Sequence, residues 1–240
     1  AHTEQLESLE GIAWEKCHLF KNQRIQKGVF HKSSLSFEAV KELQIVKKSY
    51  ALEDEACDYT LKVVEGGVAF YEAGKQVETA QVSFSQRALL ENLLAAYALC
   101  RESGAKVNAL VVAMKDLKLA PHRFCEIEYK GIHFVDDSYN ASPYAMRQAL
   151  HNLIQKKGER RIAVLGGMAE LGVFTKASHQ EVAQLALEQL DEVFFLGTNW
   201  SEIEGVTKER LFLNKEALQK ALFPFIQGGD AVLIKGANSL

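Results

Sequence analysis

The sequence has 240 residues, of which 48% are hydrophobic and 25% are charged. This is the composition of an ordinary globular chain with one large domain or two modest ones, and it argues against disordered, collagen-like and coiled-coil proteins. With 28 basic and 31 acidic residues and a formal charge of -3, the chain has no excess of positive charge for nucleic acid or an anionic membrane, so neither is expected as a partner.

Cysteine usage and hydropathy indicate the compartment. The four cysteines are widely spaced and include no Cys-x-x-Cys pair, so they predict neither a zinc site nor a disulfide framework and fit a reducing cytoplasm. No apolar run approaches the roughly 20 residues that cross a bilayer, and no basic-then-apolar leader opens the chain. We therefore expect a cytoplasmic chain that neither spans a membrane nor is exported.

The first half of the chain predicts helices around a layer of short strands. Apolar residues at three-and-four spacing predict an opening helix within or near which Lys16 lies. Short strands are then predicted at 28–32, 45–52, 59–64, 67–72 and 77–84. Hairpin turns at 65–67 and 72–75 favour an antiparallel layer. Two helices follow, at 86–102 and 107–117.

A change of pattern at Pro121 marks the predicted domain boundary. A hairpin turning at Lys130–Gly131 comes next, and then helices alternate with strands, which predicts a parallel sheet wrapped by helices. The helices are expected at about 143–155, 178–190 and 215–223, and the strands at 161–165, 193–196 and 231–234. Ligands of such sheets bind where strands end, here at Gly166–Gly167, Gly197–Thr198 and Lys235–Gly236.

Polar side chains are concentrated in the segment FVDDSYNASP at 134–143. A helix begins at its proline, and the local pattern favours a helix cap formed by Asn140 or Ser142. Asp136 and Asp137 are neighbours on a strand and point to opposite faces. One of the two carboxylates is therefore expected to enter a cleft while the other supports a cap or loop.

Six segments resemble, in sequence and separation, the Mur ligase family of ATP-dependent amide-bond-forming enzymes. They are residues 1–20, ENLLAA at 91–96, PHR at 121–123, FVDDSYNASPYAM from 134, VLGGMAELG with SHQEV, and VLIKGANSL from 232. The branch that joins D-alanyl-D-alanine to a UDP-linked muramoyl tripeptide is the most similar, because DDSYNA-P followed by GxMxELG is characteristic of it. The resemblance spans essentially the whole chain.

This resemblance implies the fold class and the domains. It covers the latter part of such an enzyme, whose UDP-sugar-binding domain and GKT or GKS phosphate loop have no counterpart in this sequence. An α/β chain is implied, with the C-terminal part of a central ATP-binding domain, a mixed sheet with helices, at 1–118. A Rossmann-like, mostly parallel C-terminal domain is implied at 119–240.

The resemblance also implies residues for the metal and the nucleotide. His2 matches a histidine that binds magnesium, and Lys16 matches a lysine that the family carbamylates to give an oxygen ligand near the metal. Asn92 matches the asparagine that recognises adenine. Arg123 matches the linker arginine that closes over the nucleotide, and Asp137 matches the acid that binds its ribose.

At three positions, His122, Ala88 and Leu89, the role in nucleotide binding is less defined. His122 is expected either to contact phosphate or to pack in the hinge. Family members carry a His-Asn pair before the adenine-binding asparagine, whereas this chain has Ala88 and Leu89. The adenine pocket is therefore expected to depart from the family pattern.

For the amino substrate, the resemblance implies contacts from residues that follow strands of the second domain, namely Asn140, Ser142, Glu170, His179 and Lys235. Lys235 is the expected cationic donor to the dipeptide carboxylate, and a solvated strand-end lysine is the alternative. Gly167 stands where many relatives carry an acidic residue.

The implied reaction is amide ligation through an acyl phosphate, using ATP, Mg²⁺ and carbamylated Lys16. The implied substrates are a UDP-linked muramoyl peptide and D-alanyl-D-alanine, and a monomer is expected. The isolated chain is expected to be inactive, because no phosphate loop is present. A non-catalytic nucleotide- and dipeptide-binding module, a related Mur ligase and a folylpolyglutamate-type ligase stay open. A nicotinamide oxidoreductase is disfavoured, because GxGxxG is absent.

Overall fold

The computed structural model describes Leu6, residues 8–156 and residues 160–237. These residues divide into two compact units, one ending at Lys118 and the other beginning at Leu119. His2 lies outside the described residues. Within the ranges that are described, no helix is both long enough and apolar enough to cross a membrane.

The first unit consists of a five-stranded sheet and four helices. Its strands are β1 Lys27–His31, β2 Val46–Leu52, β3 Tyr59–Val64, β4 Gly67–Glu72 and β5 Lys75–Ala80. Its helices are α1 Leu9–Cys17, α2 Glu38–Lys41, α3 Arg87–Glu102 and α4 Val107–Met114.

The strands of this sheet lie in chain order, β1-β2-β3-β4-β5. Only β3, β4 and β5 are antiparallel, whereas β1, β2 and β3 run parallel, so the predicted antiparallel layer is wrong for the first three strands. The chain crosses from β1 to β2 through α2, and it folds back between β2 and β3. The fold-back is held by Asp58, whose Oδ2 accepts hydrogen bonds of 2.9 Å from both the amide and the hydroxyl of Ser49.

Helix α3 contributes most of the helix residues in the hydrophobic core of the first unit. Its buried residues Leu90, Leu93, Leu94 and Tyr97 recur at three-and-four spacing and pack against β3, β4 and β5. Leu94 is fully buried, so truncating a side chain of this kind to alanine would cost about 2–5 kcal/mol of folding free energy. The predicted helix at this place is confirmed.

The second unit contains a six-stranded sheet and three helices. Its strands are β6 Cys125–Tyr129, β7 Ile132–Asp136, β8 Arg160–Gly166, β9 Glu192–Leu196, β10 Leu211–Phe212 and β11 Asp230–Lys235. Its helices are α5 Pro143–Ile154, α6 Thr175–Gln189 and α7 Lys215–Phe225.

The strand order of the second unit is β10-β9-β8-β11-β7-β6. All pairs are parallel except the β6–β7 hairpin, which turns at Lys130 and Gly131 with φ of 52° and 75°. Two consecutive residues with positive φ form a tight hairpin turn whose backbone twist matches the right-handed twist of the flanking strands. The predicted mostly parallel sheet and the predicted hairpin are both confirmed.

Helices cover both faces of this sheet. Leu218 and Leu222 of α7 pack against alternate strand residues, including Val164 and Phe194. Helices α5 and α6 contact each other, and they contact β11, β8 and β9. Because β7, β8, β9 and β11 are parallel, their carboxyl ends lie along one edge of the sheet. The candidate site residues of this unit gather at that carboxyl edge.

Candidate functional site

Lys235 and Asp137 form a buried ion pair at the carboxyl edge. The ammonium of Lys235, whose side chain is only 2% exposed, lies 2.6 Å from Oδ2 of Asp137 and also donates to the main-chain oxygens of Asp137 and Asn140, at 3.3 and 3.0 Å. A lysine ammonium has three N–H donors, so all three have partners within the chain. Lys235 thus fixes the segment after β7 to β11, and the alternative of a solvated lysine is wrong.

The other carboxylate oxygen of Asp137 also has a partner. The amide of Phe124 donates to Oδ1 of Asp137 at 3.2 Å, which ties the chain before β6 to the end of β7. The Asp137 side chain remains 21% exposed. Because a carboxylate offers about four lone-pair sites, Asp137 keeps capacity to accept a further hydrogen bond from a ligand.

His122 and Asp136 form a second polar pair beside the first. Nδ1 of His122 lies 2.7 Å from Oδ2 of Asp136, and the hydroxyl of Ser138 donates to Oδ1 at 2.6 Å. Burial acts to raise the pKa of Asp136, but the hydrogen bonds from Ser138 and His122 outweigh it and leave the pKa below its ordinary value. Asp136 therefore remains an anion that holds the His122 ring.

Arg123 lies on the ring of Tyr139. The guanidinium carbon is 3.9 Å from the ring centroid, and the amide of Tyr139 donates to the main-chain oxygen of His122 at 3.0 Å. The side chain of Arg123 is exposed. A guanidinium supported by an aromatic face keeps its N–H edge available to an anion, which suits the predicted contact with a nucleotide.

Ser142 caps helix α5. Its hydroxyl oxygen accepts a hydrogen bond of 3.3 Å from the amide of Ala145, and Pro143 occupies the first turn. The predicted helix cap is confirmed for Ser142. Asn140 is exposed, and its side-chain oxygen accepts from the adjacent amide of Ala141 at 2.8 Å. Contacts of these two residues with an amino substrate stay predictions.

His179 supports the loop that follows β8. Its ring is fully buried, with Nε2 accepting from the amide of Met168 at 3.0 Å and Nδ1 donating to the main-chain oxygen of Thr175 at 2.7 Å. The ring packs edge-on against Trp200 at 4.6 Å. Burial lowers the pKa of His179, so the ring is neutral and both nitrogens bind main chain. In this structure His179 positions the loop, and its predicted contact with substrate stays untested.

Glu170 occupies the exposed part of the same loop. Its backbone lies in the left-handed region, with φ of 59°, which is uncommon for a residue other than glycine. The buried residues Met168 and Leu171 flank this segment. These flanking residues fix the backbone on either side of Glu170, and its predicted contact with an amino substrate stays a prediction.

Two further predicted residues, Lys16 and Asn92, lie in the first unit. Lys16 is exposed in the last turn of α1, and Asn92 is exposed on α3. Ala88 and Leu89, which replace the family's His-Asn pair, are half-buried in the first turn of α3. Within the described ranges, no group of three or more His, Cys, Asp or Glu side chains could hold a metal ion.

Sequence reasoning missed three residues at the carboxyl edge. Tyr139 supports Arg123, and Trp200 is fully buried against His179. Asn199 lies against Gly167. An aromatic residue two positions after Asp137 offered a signal for Tyr139, whereas Asn199 has no local signal because its neighbour is 32 positions away.

Comparison with known proteins finds a family model that matches the second unit, and relatives that are similar to the chain. Residues 122–238 match the family model described as Mur ligase, glutamate ligase domain. The chain is 23% identical over 256 residues to the UDP-N-acetylmuramoyl-tripeptide–D-alanyl-D-alanine ligase of Rickettsia prowazekii, which aligns with 100% of this chain and 57% of that protein. It is 34% identical over 157 residues to the Escherichia coli enzyme of the same name, covering 62% of this chain and 34% of the enzyme.

A solved structure shows the same fold. The chain superposes on the MurF ligase of Thermotoga maritima, determined in complex with ADP, with a TM-score of 0.79 and 26% identity. The match covers 100% of this chain and 56% of that structure. The chain therefore spans a little over half the length of the relatives that it matches from end to end.

Proposed function

We propose that this chain, whose residues 122–238 match the Mur ligase, glutamate ligase domain model, forms part of an ATP-dependent ligase of peptidoglycan precursor synthesis. The proposed reaction joins D-alanyl-D-alanine to a UDP-N-acetylmuramoyl tripeptide. The observation that carries the proposal is the carboxyl edge, where Asp137, Asn140 and Lys235 converge on one hydrogen-bonded centre. The relatives named for this reaction match both units of the chain.

The chemistry of amide formation explains why ATP is needed. A carboxylate does not condense with an amine at neutral pH, because it would have to expel hydroxide. Transfer of the terminal phosphoryl group of ATP to the carboxylate oxygen releases ADP and creates a better leaving group. The amine then attacks the carbonyl carbon, phosphate leaves, and the nitrogen loses a proton.

The residues of the second unit suit binding of the nucleotide. Arg123 presents its cation from the face of Tyr139, which supports a contact with phosphate oxygens. Asp137 retains exposed carboxylate surface beside its bonds to Lys235 and Phe124, which supports acceptance of a ribose hydroxyl. His122, held by Asp136, lies next to Arg123 in the chain and can contribute a second donor.

Magnesium, when bound, would neutralise phosphate oxygens during transfer. Its proposed protein ligands are His2 and Lys16 as a carbamate. The Lys16 amine is exposed in the last turn of α1, so carbon dioxide can reach it. The carbamate would replace a cation that repels the metal with an anionic oxygen donor. Asn92, also exposed, would offer its amide to adenine.

The isolated chain is expected to bind ligands without turnover. No GKT or GKS sequence occurs in these 240 residues, and the amides and lysine of such a loop are what cradle the transferred phosphates. We therefore propose that the phosphate cradle and the sugar-nucleotide site belong to a longer protein. Dipeptide-dependent ADP release by the 240-residue chain alone would contradict this.

The experiment that tests the function has two arms. The 240-residue chain is titrated with D-alanyl-D-alanine by NMR, and the complete gene product is assayed for ADP release that requires both the dipeptide and UDP-N-acetylmuramoyl tripeptide. Mass spectrometry of the pentapeptide product identifies the bond formed. Binding without ADP release by the complete gene product would instead favour a non-catalytic module, and release with another amino acid would favour a related ligase.

A further inference from the structure

A cavity of about 250 Å³ lies at the carboxyl ends of β8, β9 and β11, on the sheet face that α7 covers. Its apolar wall is formed by Val164, Leu196 and Ile234, which belong to the core cluster packed under Leu218 and Leu222 of α7. The cavity therefore continues the hydrophobic core to the edge where parallel α/β sheets bind their ligands.

Glycine at the end of β8 leaves this space open. Alternation along β8 places positions 162, 164 and 166 on the same face of the sheet. The residue at the last of these positions is Gly166, which is paired with Leu196 in the register of β8 and β9. Gly236 also lines the cavity, just beyond the end of β11. The strands thus supply no side chain where an ordinary residue would complete the core.

Lys215 supplies a cation to the lining of the cavity. It is the first residue of α7 and is exposed, and within the described part of the chain its ammonium has no hydrogen-bond or ion-pair partner. The other polar side chains of the described lining are already bound. Lys235 has committed its three donors, and the hydroxyl of Ser138 donates to Asp136 at 2.6 Å. Lys215 is therefore the group available to bind an anion.

The position of Lys215 is unfavourable for the helix that carries it. The first turn of α7 is the positive end of the helix dipole, where a cation is repelled and an anion is attracted. Asn214 caps this turn by accepting a hydrogen bond of 2.9 Å from the amide of Ala217. Glu216, the acidic residue of the turn, is not part of the described lining. An anion in the cavity would be attracted by both the ammonium and the helix end.

The polar groups of the lining lie on opposite sides of the apolar wall. In the strand order β10-β9-β8-β11-β7, Lys215 follows β10 and Ser138 follows β7, and the apolar wall residues of β9, β8 and β11 lie between them. The hydroxyl oxygen of Ser138 can still accept a hydrogen bond. The arrangement therefore suits a ligand with an anion at one end, a donor at the other and small apolar groups between.

D-alanyl-D-alanine has this form, with a carboxylate, an ammonium and two methyl groups. Two extended residues span about 7 Å, and β9 and β11 are about 10 Å apart, which is two strand spacings. The flexible stem of Lys215 can make up the difference. A single amino acid spans about 3.5 Å and is too short to reach both sides.

We propose that the cavity under α7 binds the dipeptide substrate, with the ammonium of Lys215 paired to its terminal carboxylate and its methyl groups against the apolar wall. This inference rests on the proposed function, because it names a binding place for the amino substrate of that reaction. Lys215 would supply the cation that we first expected from Lys235, whose donors are all committed within the chain.

The test compares two probes by NMR titration of the 240-residue chain. The first is D-alanyl-D-alanine, and the second is D-alanyl-D-alaninamide, which lacks the carboxylate charge. The parent should bind the amide about fivefold more weakly, as expected for the loss of one partly exposed ion pair. Lys215→Met keeps the apolar stem and removes the charge, so it should weaken dipeptide binding by the same factor and bind the two probes equally.

Lys220→Met is the matched control, because it removes an exposed lysine from the same helix, outside the described lining. It should keep the dissociation constants of the parent for both probes. Lys215→Arg, which keeps the charge, should keep the preference for the dipeptide. The methyl signals of Val164, Leu196 and Ile234 should shift when the dipeptide is added to the parent, and this locates the probe in the cavity.

Two results would overturn the inference on this chain. One is equal binding of the two probes by the parent, or a preference for the dipeptide that survives in Lys215→Met. The other is a dipeptide that does not bind, or that leaves the methyl signals of the apolar wall unshifted.

The complete gene product separates this inference from the proposed function. If the parent releases ADP with the dipeptide and UDP-N-acetylmuramoyl tripeptide, Lys215→Met should raise KM for the dipeptide by about fivefold with little change in kcat. An unchanged KM would overturn the inference and leave the proposed function standing. Absence of ADP release in the parent would overturn the proposed function itself, and the inference with it.

Discussion

Lys235 and Asp137 are 98 residues apart in the sequence, yet their Nζ and Oδ2 atoms lie 2.6 Å apart at the carboxyl edge of the second sheet. The lysine is the more deeply buried partner, at 2% exposure against 21% for the aspartate. Removing one partner of a buried pair is costly because the other charge stays desolvated. The difference in exposure makes that cost unequal.

Asp137→Ala should therefore destabilise the second unit more than Lys235→Met does. The first change strands a buried ammonium and should cost about 3 kcal/mol, whereas the second leaves a partly hydrated carboxylate and should cost about 1–2 kcal/mol. Urea unfolding at neutral pH measures both. Asp116→Ala, at an exposed position of the first unit, is the control and should change stability by less than about 0.5 kcal/mol. Equal costs for the two partners would contradict the asymmetry.

The buried His179 predicts a pH dependence of stability. Its folded-state pKa is lowered by burial, so the unfolded chain takes up a proton first as the pH falls below about 6.5. The stability associated with neutral His179 is thus complete above that pH and is lost as the pH falls towards the folded pKa. His179→Gln, whose amide cannot titrate, should lose less stability between pH 7.5 and 5.0 than the parent in urea unfolding. If the parent and His179→Gln lose the same stability over this pH range, His179 takes up protons equally in the folded and unfolded chains.

The contact between Gly167 and Asn199 predicts that the cost of a larger side chain at position 167 depends on the side chain at position 199. Gly167→Ala should destabilise the parent by about 1 kcal/mol, because the new methyl group would lie 2.7 Å from Oδ1 of Asn199 and the exposed carboxamide must shift. The same change in an Asn199→Gly background should cost less than about 0.5 kcal/mol, because the space is then free. A double-mutant cycle by thermal or urea unfolding measures the coupling. Additive effects would mean that the two side-chain positions do not compete for one volume.

Lys16 predicts a chemical rescue in the complete gene product. Lys16→Ala should reduce ADP release by at least about a hundredfold, because an anionic ligand of the proposed metal is lost. Added acetate should restore part of the activity by supplying a carboxylate. Lys21→Ala, another exposed lysine close in the chain, should retain activity. Full activity of Lys16→Ala without acetate would remove Lys16 from the mechanism.

Local pattern was enough to predict much of the fold. The three-and-four spacing of Leu90, Leu93 and Leu94 predicts α3, and the apolar strands β8, β9 and β11 predict a sheet buried on both faces. Local pattern did not predict that β1, β2 and β3 run parallel, because short apolar strands carry no signal of parallel or antiparallel pairing. The fold-back between β2 and β3 depends on Asp58 binding Ser49, a contact between residues that any loop could contain.

The site was predicted less completely, because its geometry depends on distant contacts. The resemblance identified Asp137, Asn140 and Lys235, but their shared centre arises only when β7 and β11 become neighbours. His179 was predicted as a substrate contact, which stays a prediction, and the structure adds that both ring nitrogens bind main chain. A single histidine in a helix gives no local indication of which face it occupies, so the sequence could not predict these main-chain contacts.

The position of β11 between β8 and β7 has a consequence for biosynthesis. The central strand of the second sheet is the last to leave the ribosome, so the halves on either side of it cannot join while translation of this region continues. A truncation before Asp230 removes β11 and would leave two separate fragments of sheet, each with an exposed apolar edge open to aggregation. Premature termination before β11 should therefore yield insoluble protein and not a folded domain of reduced stability.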